Sequence, residues 1–123
     1  MAEDVSLAIT IQGSIREVWR VVTEDLGAWL GADVEVDPRV GGPISVRWPD
    51  GASCRGLVDV VDAPVRFGFR WRRIADVVDG IRIGEPTRVE FLLENVGEGQ
   101  TVVTVTESDA PLPDRPFALS RRA

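Results

Sequence analysis

Val65-Arg66-Phe67-Gly68-Phe69-Arg70-Trp71-Arg72-Arg73 is the stretch on which the fold turns. Val65, Phe67, Phe69 and Trp71 occupy alternate positions, and Arg66, Gly68, Arg70 and Arg72 fill the gaps between them. A period of two is the signature of a β-strand with one greasy and one solvated face. The downstream segment Thr87 to Asn95 repeats it, with Val89, Phe91 and Leu93 against Arg88, Glu90 and Glu94. In Thr101–Ser108, Val103 and Val105 alternate with Val102, Thr104 and Thr106, after the turn Val96-Gly97-Glu98-Gly99. Upstream, Ile44, Val46 and Trp48 share a face opposite Ser45 and Arg47, and Pro49-Asp50-Gly51 turns this strand into Ser53–Asp62 as a hairpin. Val34 and Val36 form a shorter strand that ends at Asp37-Pro38. Consecutive strands joined by short turns make an antiparallel meander.

The N-terminal part departs from this rhythm once. Val5 to Ile11 is a strand of period two, but Ser14 followed by Glu17 is a capping box opening a helix with Ile15, Val18, Trp19 and Val22 on one stripe. Thr23 to Gly31 predicts a second short helical piece carrying Leu26, Trp29 and Leu30, stopped by Gly31. The connection Ile74 to Glu85 contains Val77, Val78, Ile81 and Ile83 and is too apolar for an ordinary solvated loop. It reads either as an extension of its flanking strands or as a flap over a cavity. The fold class is therefore α+β, with an antiparallel sheet of about six to seven strands and two short helices after the first.

Composition removes several classes of chemistry. The chain has 123 residues, enough for one domain, with Lys plus Arg 14, Asp plus Glu 20 and a formal charge of -6. That acidic balance argues against a nucleic-acid partner, which needs a basic footprint. His is absent, so no Ser-His or Cys-His nucleophile and no imidazole metal site can form. The single Cys54 excludes an intrachain disulfide. With no His to activate it, Cys54 reads as a small buried apolar residue. Gly41-Gly42 precedes no helix and lacks the Lys of a phosphate loop. No metal or cofactor is implied. No run approaches the ~20 apolar residues of a membrane span, and the acidic N-terminus lacks an export signal, so a cytoplasmic location is expected.

The order of elements and a series of short motifs resemble the START-like (SRPBCC, helix-grip) superfamily. The branch most similar is named for the C-terminal domain of the heat-shock protein 90 ATPase activator. The motifs are Ile15-Arg16-Glu17-Val18-Trp19, Trp29-Leu30-Gly31, Asp37-Pro38-Arg39-Val40-Gly41-Gly42, Asp50-Gly51, Gly56-Leu57-Val58, Phe69-Arg70-Trp71, Thr87-Arg88-Val89-Glu90-Phe91 and Thr104-Val105-Thr106-Glu107-Ser108. They span about residues 5 to 108. The resemblance implies a curved sheet gripping a long C-terminal helix that walls an apolar cavity. Here that helix is expected to be truncated or missing. Residues 1–110 are assigned to the START-like domain and 111–123, with Pro111, Pro113 and Pro116, to a Pro-rich tail. A bare sheet face would exceed the few hundred Å² of apolar patch that a monomer usually exposes, so a homodimer or partner chain covering it is expected.

Three functions follow from this resemblance. The first is a non-catalytic module binding an apolar or lipid-like small molecule. The second is a polyketide aromatase/cyclase-like enzyme. The third is a co-chaperone-like interaction domain with a partner helix in the vacant groove. The expected ligand-binding set is Trp19, Trp29, Trp48, Phe69, Trp71, Phe91, Val103 and Glu107. For each apolar member the ordinary role is hydrophobic core, which composition cannot separate from a cavity wall. Glu107 is in phase with Val103 and Val105. If buried, it must pair with an Arg or carry a raised pKa, which would make it a weak catalytic candidate, with Thr87 or an Arg as helper. If the strand ends before it, it is solvated. Arg47, Arg55, Arg66, Arg70, Arg72 and Arg88 are expected on the outer face with Asp59, Glu90 and Glu94, as a charge-laced solvated surface.

Overall fold

A computed structural model describes residues 5–77, 80–83 and 86–109. The tail at 111–123 and the proposed boundary at 110 lie outside the described residues. The chain runs β1 (Val5–Gln12), α1 (Ile15–Glu24), α2 (Leu26–Leu30), β2 (Asp33–Val36), β3 (Pro43–Arg47), β4 (Ser53–Asp62), β5 (Arg66–Val77), β6 (Gly80–Ile83), β7 (Thr87–Gly97) and β8 (Gln100–Asp109). One antiparallel sheet has the order β1-β8-β7-β5-β4-β3-β2, with β6 paired to β5 off that path. Within the described part of the connection, β5 continues to Val77 and pairs with β6, with Ile74 opposite Ile83, as in the strand-extension reading.

Local chemistry explains the helices. Ser14 accepts from the backbone N–H of Glu17 at 3.1 Å, and Glu17 accepts from the backbone N–H of Ser14 at 2.8 Å. The bond from the Ser14 backbone N–H holds the Glu17 carboxyl below its ordinary range, and the Ser14 side chain and, more weakly, the charge of Arg20 add to the fall. Val18 and Val22 bury the stripe that the 3.6-residue period aligns. Gly31 ends α2 in the left-handed conformation, φ 68°, and the amide of Ala32 bonds back to the Gly27 carbonyl at 3.1 Å.

The core lies between the helices and the concave face of the sheet. Phe67, Phe69, Val89, Phe91, Leu93 and Val103 supply its sheet side; Val18, Val22 and Leu26 supply its helix side. Phe67 meets Phe69 at 6.0 Å, Phe91 at 6.5 Å and Trp19 of α1 edge-on at 6.1 Å, between ring centroids. Separations of this size suit the quadrupoles of aromatic rings. Val65 departs from the alternation that Phe67, Phe69 and Trp71 keep. It sits in the turn after Pro64, where its amide donates to Asp62 and its carbonyl accepts from Leu93, and its side chain is left 36% exposed.

The sheet bends where side chains are missing. Gly56 lies opposite Trp71, and a Cβ there would come within 1.8 Å of the Arg70 carbonyl oxygen. In β4 the register slips between Val58 and Val60, so Asp59 is an extra residue. That bulge points Asp59 outward, where Oδ2 accepts from Arg70 at 3.2 Å and from Arg88 at 3.1 Å. Arg66 and Arg88 both pair with Glu90. The charged outer face is therefore in place. Arg55, by contrast, stands directly opposite Arg72 and neither forms an ion pair among the described residues.

Two stability outcomes follow. Phe67→Ala should lower unfolding free energy by about 3–5 kcal/mol in a denaturant titration, because a fully buried ring leaves a cavity. Arg55→Glu should raise it by roughly 0.2–1 kcal/mol, by turning a like-charge cross-strand pair into an opposite one.

Candidate functional site

Strand register brings the candidate residues together. Val5, Glu107 and Val89 form one row across β1, β8 and β7; Leu7, Val105, Phe91 and Phe67 form the next. Thr87 lies directly opposite Trp71 and diagonally from Glu107. Side chains two residues apart on one strand share a face, so these rows stack into a single concave wall. The short helix α2 lies over that wall, with Trp29 against Phe91 at 5.7 Å.

Between them is an apolar cavity of about 390 Å³. Val5, Leu7 and Ile9 of β1 form one side, and Trp29 and Leu30 of α2 the roof. Phe69, Trp71, Val89, Phe91 and Val105 form the floor, Trp48 closes the far side, and Glu107 stands at one end. Its volume falls within the usual range for small-molecule pockets, roughly 300–1,000 Å³. Among the described residues Glu107 is the only charged one in its lining.

Six residues of the expected set line this cavity: Trp29, Trp48, Phe69, Trp71, Phe91 and Glu107. Trp19 and Val103 do not. Trp19 packs edge-on against Phe67 on the α1 side, and Val103 is fully buried in the core. Sequence reasoning missed the β1 contribution of Val5, Leu7 and Ile9. Its signal was present, since those residues alternate in the first strand, but the pairing of β1 with β8 places them beside Glu107.

Glu107 is neither buried nor paired with an Arg among the described residues. It is exposed at the cavity end, and one carboxylate oxygen, Oε2, accepts from Thr87 Oγ1 at 2.8 Å. The same hydroxyl accepts from Trp71 Nε1 at 3.1 Å. A hydroxyl that receives one bond and donates another has its rotor fixed, so the indole orients Thr87 and Thr87 orients the carboxylate. Trp71 also packs at 4.9 Å from Phe69 and at 5.9 Å and 66° from Trp48.

Cys54 is buried in β4. Desolvation pushes its thiol above the ordinary range; Arg73 pulls it down and Glu107 adds to the rise. Among the described residues no cluster of three His, Cys, Asp or Glu forms a metal site. A wider groove of about 680 Å³ runs between the helices and β2, lined by Glu24, Asp25, Asp33 and Glu35. Its one buried polar side chain, Thr23, is already satisfied by donating to the Trp19 carbonyl at 2.9 Å. The apolar cavity is therefore the better candidate. No helix among the described residues is long and apolar enough to cross a membrane.

The family described as Activator of Hsp90 ATPase homolog 1-like protein matches residues 12–118. No curated protein sequence is significantly similar to the chain. Among solved structures, protein MLL2253 from Mesorhizobium loti aligns at TM-score 0.73 with 18% identity, over 88% of this chain and 77% of that one. DynU16, a protein of the dynemicin biosynthetic locus, aligns at 0.70 with 25% identity, over 94% of this chain but 39% of its own. PFC0360w, an HSP90 activator from Plasmodium falciparum, aligns at 0.68 with 19% identity, over 89% and 75%.

The raised Cys54 pKa has a signed consequence. A thiol that resists ionisation when folded contributes stability below its unfolded pKa, about 8.5, and that contribution is lost as pH rises through its folded value. Unfolding titrations between neutral and alkaline pH should show Cys54→Ala losing less stability across that window than the parent chain. A thiol reagent should label Cys54 at neutral pH only once denaturant is added.

Proposed function

The chain belongs to the Activator of Hsp90 ATPase homolog 1-like family, with a START-like fold, and on that footing we propose that it is a small non-catalytic module that binds an apolar or lipid-like molecule in the cavity beneath α2. The observation carrying this reading is the lining itself. Trp29, Leu30, Trp48, Phe69 and Phe91 border an open apolar volume that their mutual contacts leave unfilled, and one oriented carboxylate stands at its end. Few polar groups in an otherwise apolar hollow are what a ligand pocket needs: area for affinity and one direction for orientation. Both the family and the likeness to DynU16 are compatible with this role. A polyketide aromatase/cyclase-like activity would use the same cavity but rely on Glu107 alone for proton transfer.

The test uses N-phenylnaphthylamine, a neutral apolar fluorophore, with native mass spectrometry for any molecule retained through purification. One saturable site is expected, weakened about ten-fold or more by Trp29→Ala. Leu7→Arg should weaken it similarly while leaving the melting temperature within a few degrees, since Leu7 is 59% exposed. Absence of saturable binding overturns the reading, as does chemical conversion of a retained molecule that Glu107→Gln abolishes.

A second reading rests on the exposure of Val5 and Leu7 along β1, an edge strand of the sheet. Apolar residues on an edge that no described strand pairs with suit strand addition or a covering surface, either a second copy of the chain or a partner protein. Sedimentation across a wide concentration range should then give a mass that rises with concentration, and Leu7→Arg should suppress the rise. A constant monomer mass removes self-association.

A further inference from the structure

Glu107 stands exposed at the end of the apolar cavity. Oε2 is held by a neutral hydroxyl, which orients the carboxylate without balancing its charge. No Arg pairs with it among the described residues; Arg73, in phase with Trp71 one step further along β5, makes no ion pair with it. The chain spends its arginines elsewhere: Arg66, Arg70 and Arg88 are paired with Glu90 and Asp59 on the opposite face of the sheet. Among the described residues the apolar cavity thus ends in one carboxylate with which no Arg forms an ion pair.

Three indole rings line the same cavity, Trp29 as its roof and two more at its other side. Trp48 and Trp71 both line it, 5.9 Å apart and inclined at 66°, so that they form a corner and not a closed stack. The Trp71 indole N–H is already committed to Thr87, so a guest would meet this ring through its π-system and not through its donor. An indole face carries a negative quadrupole and attracts cations more strongly than any other aromatic side chain. A carboxylate and two indole faces around one hollow all favour the same guest charge.

We propose that the natural ligand is a lipophilic amine: an apolar body seated beneath Trp29, with a protonated amino group placed between the Glu107 carboxylate and the Trp48–Trp71 corner. Thr87 is a positioning residue, acting only through Glu107. This rests on the ligand-binding reading above and adds the sign of the ligand's charge. Neutral and anionic guests of equal bulk gain the same apolar contact and forgo the ionic one, and anions meet repulsion as well.

Three compounds with one apolar cage and different heads make the test: aminoadamantane, adamantanol and adamantane carboxylate, titrated by calorimetry at neutral pH. Aminoadamantane should bind about five- to ten-fold more tightly than adamantanol, and the carboxylate least. Glu107→Gln should abolish the amine's advantage over adamantanol, and Thr87→Val should reduce it in part. Raised salt should narrow the gap between amine and alcohol. If alcohol and amine bind equally, this inference falls and the cavity reading stands. If the carboxylate binds best, the charge assignment is wrong. If none of the three binds and N-phenylnaphthylamine also fails, the cavity reading falls and takes the inference with it.

Discussion

Everything in this fold depends on the two-faced character of β5. Phe67, Phe69 and Trp71 leave one side of the strand, and Arg66, Arg70 and Arg72 leave the other. The greasy side gathers rings from α1, α2, β7 and the end of β3 into a continuous aromatic series, from Trp19 through Phe67 and Phe69 to Trp71 and Trp48. At its Trp19 end this series is sealed core. At its Trp48 end it opens into the cavity. The same alternation that stabilises the protein therefore supplies the cavity floor, and no separate element had to be added to make one.

Much of this was legible from side-chain periodicity. The hairpin of β3 and β4, the capping box at Ser14, the stop at Gly31 and the inward rows of β5, β7 and β8 are all local patterns, each set by residues within a few positions of one another. The charged outer face followed from the same alternation. What could not be read was set by distance along the chain. Trp19 and Trp29 carry the same side chain on adjacent helices, yet one is wedged against Phe67 and the other roofs the cavity. Nothing in either helix distinguishes them, because the difference lies in where α2 lands on the sheet. Glu107 was correctly phased with Val105, but its environment depended on β1 pairing and on the height of Thr87, which lies 20 residues away in sequence.

The apolar connection at 74–85 was ambiguous for a related reason. A run containing Val77, Val78, Ile81 and Ile83 satisfies both a long hairpin and a flap, since each would present alternating apolar residues. The structure extends β5 and pairs it with β6, so backbone hydrogen bonding decided what side-chain pattern left open. β4 hides a comparable subtlety. A strict period of two would put Val58 and Val60 on one face, whereas the slip at Asp59 puts Val58 and Val61 inward, opposite Phe69 and Phe67.

That slip reaches further than its own strand. Asp59 clamps Arg70 and Arg88 across two neighbouring strands, and Gly68 lies directly under the clamp: a Cβ there would stand 3.2 Å from the Arg88 guanidinium and 3.3 Å from the Asp59 carboxylate. The convex surface is thus drawn together by an ionic rivet set over a missing side chain. Tightening one side of a bent plate sets the radius of the other. Altering the clamp or the gap beneath it would therefore act on the sheet from its convex side, with every residue of the cavity lining left as it is.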